Sequence, residues 1–270
     1  MRVIFAAASL LLLGTLLLGT VPAHAVLTSS FSLGRSSDRT ASTDSLSQET
    51  IVSQGNKRTY YLFVPGGITA ERPAALVLLL HGSGRNGSSL VNLWKEIASR
   101  EKLVLAGPDA LDRKGWSSPL DGPEFLHDLV EALRAKYPID PRRMYLFGHS
   151  AGAVFAMNMA LLESEYFAAA AIHAGAFKEQ YEFRALESAK RKTSISIQIG
   201  DKDQIFSVAD VKATSDALKE QGFEVEVTII KKHDHFYYDL APKINEAAWE
   251  FLKKHDLSAD PHYERYNYRR

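Results

Sequence analysis

Cysteine is absent from all 270 residues. That excludes disulfides, thiolate zinc sites, a cysteine nucleophile and a lipidated N-terminal cysteine. Surplus charge is lacking too, with 32 basic side chains against 32 acidic ones. A nucleic-acid binder normally carries a basic excess to neutralise phosphates, so the balance argues against nucleic acid as a partner. No internal repeat is visible. What is present is ordinary for a soluble globular protein: 46% hydrophobic and 24% charged residues,. A chain of this length makes one large domain or two small ones, and either can bury a sizeable core.

The first 25 residues read as a signal peptide rather than as part of the fold. Arg2 supplies a short positive region and Val3 to Leu18 an apolar run. Ala23-His24-Ala25 then gives the small-x-small pattern at which such leaders are cleaved,. An uncleaved anchor is the competing reading, because Val3 to Pro22 is about long enough to span a bilayer. Cleavage predicts a secreted or periplasmic protein with no stable membrane insertion, held together without disulfides by its core alone. Residues 26–49 follow as a linker. Leu27 to Glu49 holds eight serines and three threonines with few large apolar residues, a composition that predicts disorder,. The folded domain is expected over 50–256, and 257–270 as a polar, solvated tail that includes Tyr263, Tyr266 and Tyr268.

Within the domain, strand and helix signals alternate. Arg58 to Val64 is rich in β-formers and stops at Pro65-Gly66-Gly67,. Ala75 to Leu80 is apolar throughout, as a strand buried on both faces must be,. Further strands are predicted at Leu103 to Ala106, Arg143 to Phe147, Ala168 to Ile172, Ser194 to Ile199 and Glu224 to Ile230. Helices are predicted at Leu90 to Arg100, around Phe125 to Leu133, and at Ala151 to Leu162, Val208 to Gln221 and Pro242 to Lys254,. Repeated βαβ units imply an α/β fold, a mostly parallel central sheet with helices on both faces. The chemistry of such sheets gathers at the carboxyl ends of the strands.

There, Gly148-His149-Ser150-Ala151-Gly152 stands between a predicted strand and a predicted helix. The G-x-S-x-G string alone is weak; its strand–turn–helix context makes it a candidate nucleophile elbow, with Ser150 lifted above the sheet and an idle serine in a glycine-rich turn as the alternative. A serine hydroxyl needs a base, and the base an orienting acid, in the chain order Ser, Asp or Glu, His. That order leaves His233, His235, His255 and His262. The last two fall at the end of the final helix and in the polar tail, where solvent exposure is expected, so His233 and His235, in the loop after a strand, are the candidate bases. The same pair could be a two-histidine metal site, but no third ligand is evident, so neither metal nor cofactor is expected. Gly200-Asp201-Lys202-Asp203 offers two candidate acids, one of which could be a turn residue or a helix cap,. Spacing does not choose between Asp201 and Asp203. The backbone N–H of Ala151, following the nucleophile, is a candidate oxyanion donor.

From about Gly55 to Leu257 the chain resembles the secreted α/β-hydrolases grouped with polyhydroxybutyrate depolymerases, feruloyl esterases and acetyl-xylan-type esterases. Arg58-x-Tyr60, Val64-Pro65, the strand into His81-Gly82, Tyr137-x-Ile139-Asp140-Pro141-x-Arg143-x-Tyr145 and Gly148 to Ala153 carry the resemblance. It implies the α/β-hydrolase fold. The Gly-x-x-Asp pattern of the family falls on Gly200 and selects Asp203. The usual Gly-His pair is missing, since Lys232 precedes His233; instead Asp234-His235-Phe236-Tyr237-Tyr238 is similar to the Asp-His-x-Tyr-Tyr stretch of S-formylglutathione hydrolases and esterase D proteins, which favours His235. The resemblance also points to Ser83, with Gly84 next, as the second oxyanion donor. Trp116 is a candidate substrate contact, a platform for a sugar or phenolic ring, with ordinary packing as the equal alternative. The function these features imply is an exported serine carboxylesterase acting on a small-molecule or oligomeric ester through an acyl-enzyme on Ser150. A serine peptidase or amidase and a non-catalytic binding protein of the same fold are the alternatives.

Overall fold

The computed structural model describes residues 43–265. The leader and the first part of the linker lie outside them. The elements in chain order are β1 (Thr43–Ser53), β2 (Asn56–Val64), β3 (Ala74–Leu80), α1 (Ser88–Glu101), β4 (Val104–Pro108), α2 (Pro123–Arg134), β5 (Ile139–His149), α3 (Ala151–Leu162) and β6 (Ala169–His173). After them come two four-residue helices, α4 (Gln180–Phe183) and α5 (Ala185–Ser188), then β7 (Ser194–Gly200), α6 (Val208–Glu220), β8 (Val225–Ile230), a single 3₁₀ turn at Tyr237–Asp239, and α7 (Ala241–Leu252).

The strands form one eight-stranded sheet in the order β1-β2-β4-β3-β5-β6-β7-β8. From β4 to β8 every pairing is parallel, while β2 runs antiparallel to both β1 and β4. All seven residues of β3 are buried, because helices cover both of its faces. Its alternation sorts two cores. Leu76, Leu78 and Leu80 pack with α2, α3 and α6, whereas Val77 and Leu79 pack with α1 and α7. Each fully buried leucine or valine contributes about 1.5–3 kcal/mol, so this central strand anchors the sheet whose rim carries the site. Among the described residues no helix is long and apolar enough to cross a membrane.

Two boundaries read from composition need correction. Thr43 to Glu49, assigned to the disordered linker, form most of β1. An edge strand pairs on one side only and needs few large apolar residues; here Leu46 and Ile51 alone pack against the cores,. The C-terminal segment from 257 is not simply solvated either. Leu257 is buried, the N–H of Leu257 donates to the Arg142 carbonyl, and Tyr263 stacks on His127 with ring centres 3.9 Å apart. Tyr266 and Tyr268 lie outside the described residues.

Candidate active site

A single residue separates β5 from α3. That residue, Ser150, has φ +56° and ψ −121°, a conformation that costs a non-glycine residue about 1–3 kcal/mol,. The turn is so tight that its flanks admit no side chain. A Cβ on Gly148 would lie 2.2 Å from the Gly152 carbonyl oxygen, and one on Gly152 would lie 2.0 Å from that of Leu80. The steric reason for G-x-S-x-G is therefore present in full.

The acid and base loops follow β7 and β8 and are laced together. The N–H of Lys202 donates to the His233 carbonyl at 2.9 Å, and that of Asp201 to the Ile230 carbonyl at 3.0 Å. The N–H of Lys232 donates to the Asp201 carboxylate at 2.7 Å. Lys232 occupies the left-handed region at φ +60°, where glycine would be unstrained,. Asp201 is thus the turn residue. Neither aspartate caps α6, since Ser207 does so by accepting from the N–H of Asp210.

These loops bring Asp203, His235 and Ser150 into line. One oxygen of Asp203 is 2.8 Å from His235 Nδ1, and His235 Nε2 is 2.8 Å from Ser150 Oγ. The other oxygen of Asp203 accepts the N–H groups of Ile205 and Phe206 at 2.8 and 2.9 Å. The carboxylate is fully buried, while the imidazole keeps 22% exposure. His233 is not brought to Ser150. Its buried ring turns away, with Nε2 3.1 Å from His173 Nε2, so the two histidines face different partners and do not converge on one point.

The loop after β3 lies beside the elbow. Gly84 donates its N–H to the Arg113 carbonyl, which removes it as a free donor, whereas Ser83 and Ala151 line the cleft and have no backbone partner for their N–H groups among the described residues. His81, just upstream, is buried, and its Nε2 accepts the N–H of Ala110 at 3.1 Å. Its Nδ1–H therefore donates to the Gly82 carbonyl at 2.9 Å. Burial pushes the His81 pKa down and keeps this ring neutral,. Trp116 Nε1 donates to the His81 carbonyl at 2.8 Å while its ring stacks on Phe155. The tryptophan thus braces the loop rather than standing free.

The segment that carries Trp116 hangs on a buried ion pair that sequence reasoning missed. Arg58 and Asp121, with side chains 3% and 0% exposed, meet at 2.5 Å. Arg58 also donates to the carbonyls of Leu120 and Asp109, and Asp121 accepts the N–H groups of Leu111 and Ser117. Arg58 stood in the quoted Arg58-x-Tyr60 motif; nothing in the sequence marked Asp121 as its partner. His149, inside the elbow, and His173, which precedes the strand of the candidate acid, are set aside as bases by the sequence; both lie beneath the site.

The cleft at Ser150 has a volume of about 570 Å³, walled by Arg85, Ile205, Phe206, Phe236 and Tyr238. A second hollow of about 360 Å³ also borders Ala151 and is lined by Trp116, Phe155, Met159 and Tyr181.

The Esterase family model matches residues 52–252. This chain belongs to the Esterase family. Solved structures of similar fold include a thermostable esterase, 22% identical over 80% of this chain, with TM-score 0.62; the match covers 64% of that chain. A fluorophosphonate-binding serine hydrolase of Staphylococcus aureus is 16% identical over 77% of this chain and 98% of its own, with TM-score 0.65. A ferulic acid esterase of Anaeromyces mucronatus is 15% identical over 76% of this chain and 89% of its own, with TM-score 0.57. Likeness at such identities is one of fold, and the fold is the mostly parallel α/β-hydrolase sheet. No match was found among curated protein sequences.

Proposed function

We propose that this member of the Esterase family is an exported serine hydrolase that cleaves carboxylic esters through an acyl-enzyme on Ser150. The observation that carries the reading is the 2.8 Å contact of His235 Nε2 with Ser150 Oγ, continued at 2.8 Å from Nδ1 to Asp203. In this mechanism Ser150 Oγ attacks the ester carbonyl carbon while His235 Nε2 takes the hydroxyl proton. Asp203 holds the Nδ1–H tautomer and stabilises the imidazolium. The carbonyl oxygen, now an oxyanion, is met by the N–H groups of Ser83 and Ala151, where each such donor contributes about 10²–10³ in rate. Collapse expels the alcohol, which receives the proton from His235. Water, deprotonated by the same nitrogen, then releases the acid and restores Ser150.

The apolar walls of the cleft suit an acyl or alcohol group of aromatic or aliphatic character. Trp116 is proposed to contribute to substrate binding from the second hollow, which shares Ala151 with the main cleft. Export rests on the apolar leader and the Ala23-His24-Ala25 pattern. The test is labelling with a fluorophosphonate, followed by turnover of matched p-nitrophenyl esters and p-nitroanilides. Labelling of wild type, none of Ser150→Ala, and turnover of the ester but not the amide are expected. Absence of labelling in wild type refutes the reading.

A further inference from the structure

Beneath Ser150, His235 and Asp203 runs a second row of side chains for which acyl transfer has no assigned use. His149, His173 and His233 are 5%, 0% and 5% exposed. His149 Nδ1 lies 3.1 Å from His173 Nδ1, and His173 Nε2 lies 3.1 Å from His233 Nε2. Each of the three is tied to the chemistry above it. His149 immediately precedes Ser150, and His233 stands two residues before His235. His173 accepts the Ser150 N–H on its carbonyl at 3.1 Å. The row thus crosses the carboxyl ends of β5, β6 and β8, the strands whose loops must be held in mutual register for Ser150 to meet His235.

Its chemistry fixes its form. Each nitrogen–nitrogen contact needs one proton and one lone pair, so a neutral His173 must donate to one neighbour and accept from the other, which orders the row in a single direction. Burial, reinforced by the neighbouring imidazoles, lowers the His149 pKa to about 3 and the His173 pKa to about 2, which keeps both rings neutral in ordinary buffers,. The row is rigid on its flank as well. Tyr237 stacks on His149 with ring centres 5.2 Å apart, and its hydroxyl donates to Asn245 at 2.5 Å. His149 and His235 themselves lie 5.2 Å apart between ring centres.

We propose that His173 is a positioning residue: by bridging His149 and His233 it sets the distance between the Ser150 hydroxyl and the His235 imidazole. It touches no substrate and moves no proton in the reaction. The inference rests on the acyl-transfer reading above. Breaking the bridge lets the elbow and the base loop shift independently, and a displacement of about 1 Å at the reacting atoms costs about 10²-fold.

The test uses the full chain with two variants, His173→Phe, which keeps the ring shape and removes both hydrogen bonds, and His173→Asn, which keeps polarity but is too short to bridge. Both are expected to lower kcat by about 10–100-fold with KM little changed, and to slow fluorophosphonate inactivation by the same factor. A far-downfield proton resonance from the His235–Asp203 hydrogen bond is expected in wild type and should broaden or vanish in both variants. A folded variant of either kind with kcat within about twofold of wild type overturns the proposal, as does a loss carried by KM alone. Should phenylalanine prevent folding, the asparagine variant decides by the same criteria. Failure of the underlying reading is distinguishable, since it would appear as undiminished turnover in Ser150→Ala.

Discussion

Replacing Asp203 by asparagine probes the site at its least visible point, and the structure dictates how the amide must sit. One oxygen of the carboxylate receives two backbone N–H groups, from Ile205 and Phe206. An amide NH₂ placed there would face two donors, so the asparagine oxygen must take that position. The NH₂ group is then left 2.8 Å from His235 Nδ1, where the second carboxylate oxygen stood. It donates to Nδ1 and forces the proton onto Nε2, the nitrogen that faces Ser150 at 2.8 Å. A protonated Nε2 cannot take the serine proton. The expected loss is about 10⁴-fold in kcat, or about 5.5 kcal/mol of transition-state stabilisation. Asp201→Asn is the control. Asp201 is exposed and accepts the N–H of Lys232, a bond that an asparagine oxygen can replace, so its kcat should stay within about twofold,. The assay is p-nitrophenyl ester turnover at saturation, with thermal unfolding of all three proteins as the check on folding. Retention of more than about a tenth of the activity in Asp203→Asn, or equal losses in both variants, refutes the tautomer argument.

His235→Ala should abolish ester turnover, whereas His233→Ala, which removes one end of the His173 bridge, should lose about 10–100-fold in kcat; the opposite ranking would move the base to His233,. Asp121→Ala strands the Arg58 guanidinium in a site where both side chains are nearly inaccessible, and should cost about 3–5 kcal/mol, read as a lowered midpoint in urea unfolding,. Gly152→Ala places a methyl group 2.0 Å from the Leu80 carbonyl and should lower Tm by about 3–10 °C; an unchanged Tm would mean that the elbow is looser than its geometry implies,. Burial raises the Glu163 pKa to about 8, so the folded state holds a proton that the unfolded chain releases at ordinary carboxylate pH,. The stability tied to that proton is present at low pH and declines as pH rises toward 8,. Glu163→Gln should accordingly raise Tm at pH 8 and leave it nearly unchanged at pH 4, and a uniform shift at both would contradict the assignment.

Strand β3 was legible in the sequence because burial on both faces leaves an unbroken apolar run, and helix α3 because its residues are apolar but for Asn158 and it starts at the elbow, whose glycines only a steric collision explains. β1 was not legible, for the opposite reason. Its stability comes from backbone pairing with β2 and from two modest apolar contacts, neither of which changes composition enough to distinguish it from a linker. Tyr263 was misjudged in the same way: an aromatic residue in a polar segment packs or not according to what lies opposite, and His127 is 136 positions earlier in the chain. The pattern of strand ends offered Ser150, two aspartates and two histidines as candidates, and the choice of Asp203 over Asp201 came from a resemblance, not from spacing. In the structure Asp201 spends its carboxylate on the turn at Lys232, while Asp203 faces His235 Nδ1.

What stayed hidden was how three loops from different strands keep a common geometry in a protein with no disulfide to hold them. Three separate ties do so. The acid and base loops are laced by backbone bonds between Lys202 and His233 and between Asp201 and Ile230, an approach so close that a Cβ on Gly200 would lie 2.1 Å from the His233 carbonyl oxygen. The loop after β3 is held by Trp116 on the His81 carbonyl, and Trp116 in turn by the segment fixed at Arg58 and Asp121. The elbow and the base loop are joined through His173. Each tie is a polar contact whose partners are far apart in sequence, so no local pattern announces it. Buried polar groups cost stability unless they are fully paired, and their pairing here demands one arrangement of the loops rather than several. Under the proposed acyl-transfer reading, the side chains that look least necessary to ester cleavage are therefore the ones that hold Ser150 and His235 within reach of each other.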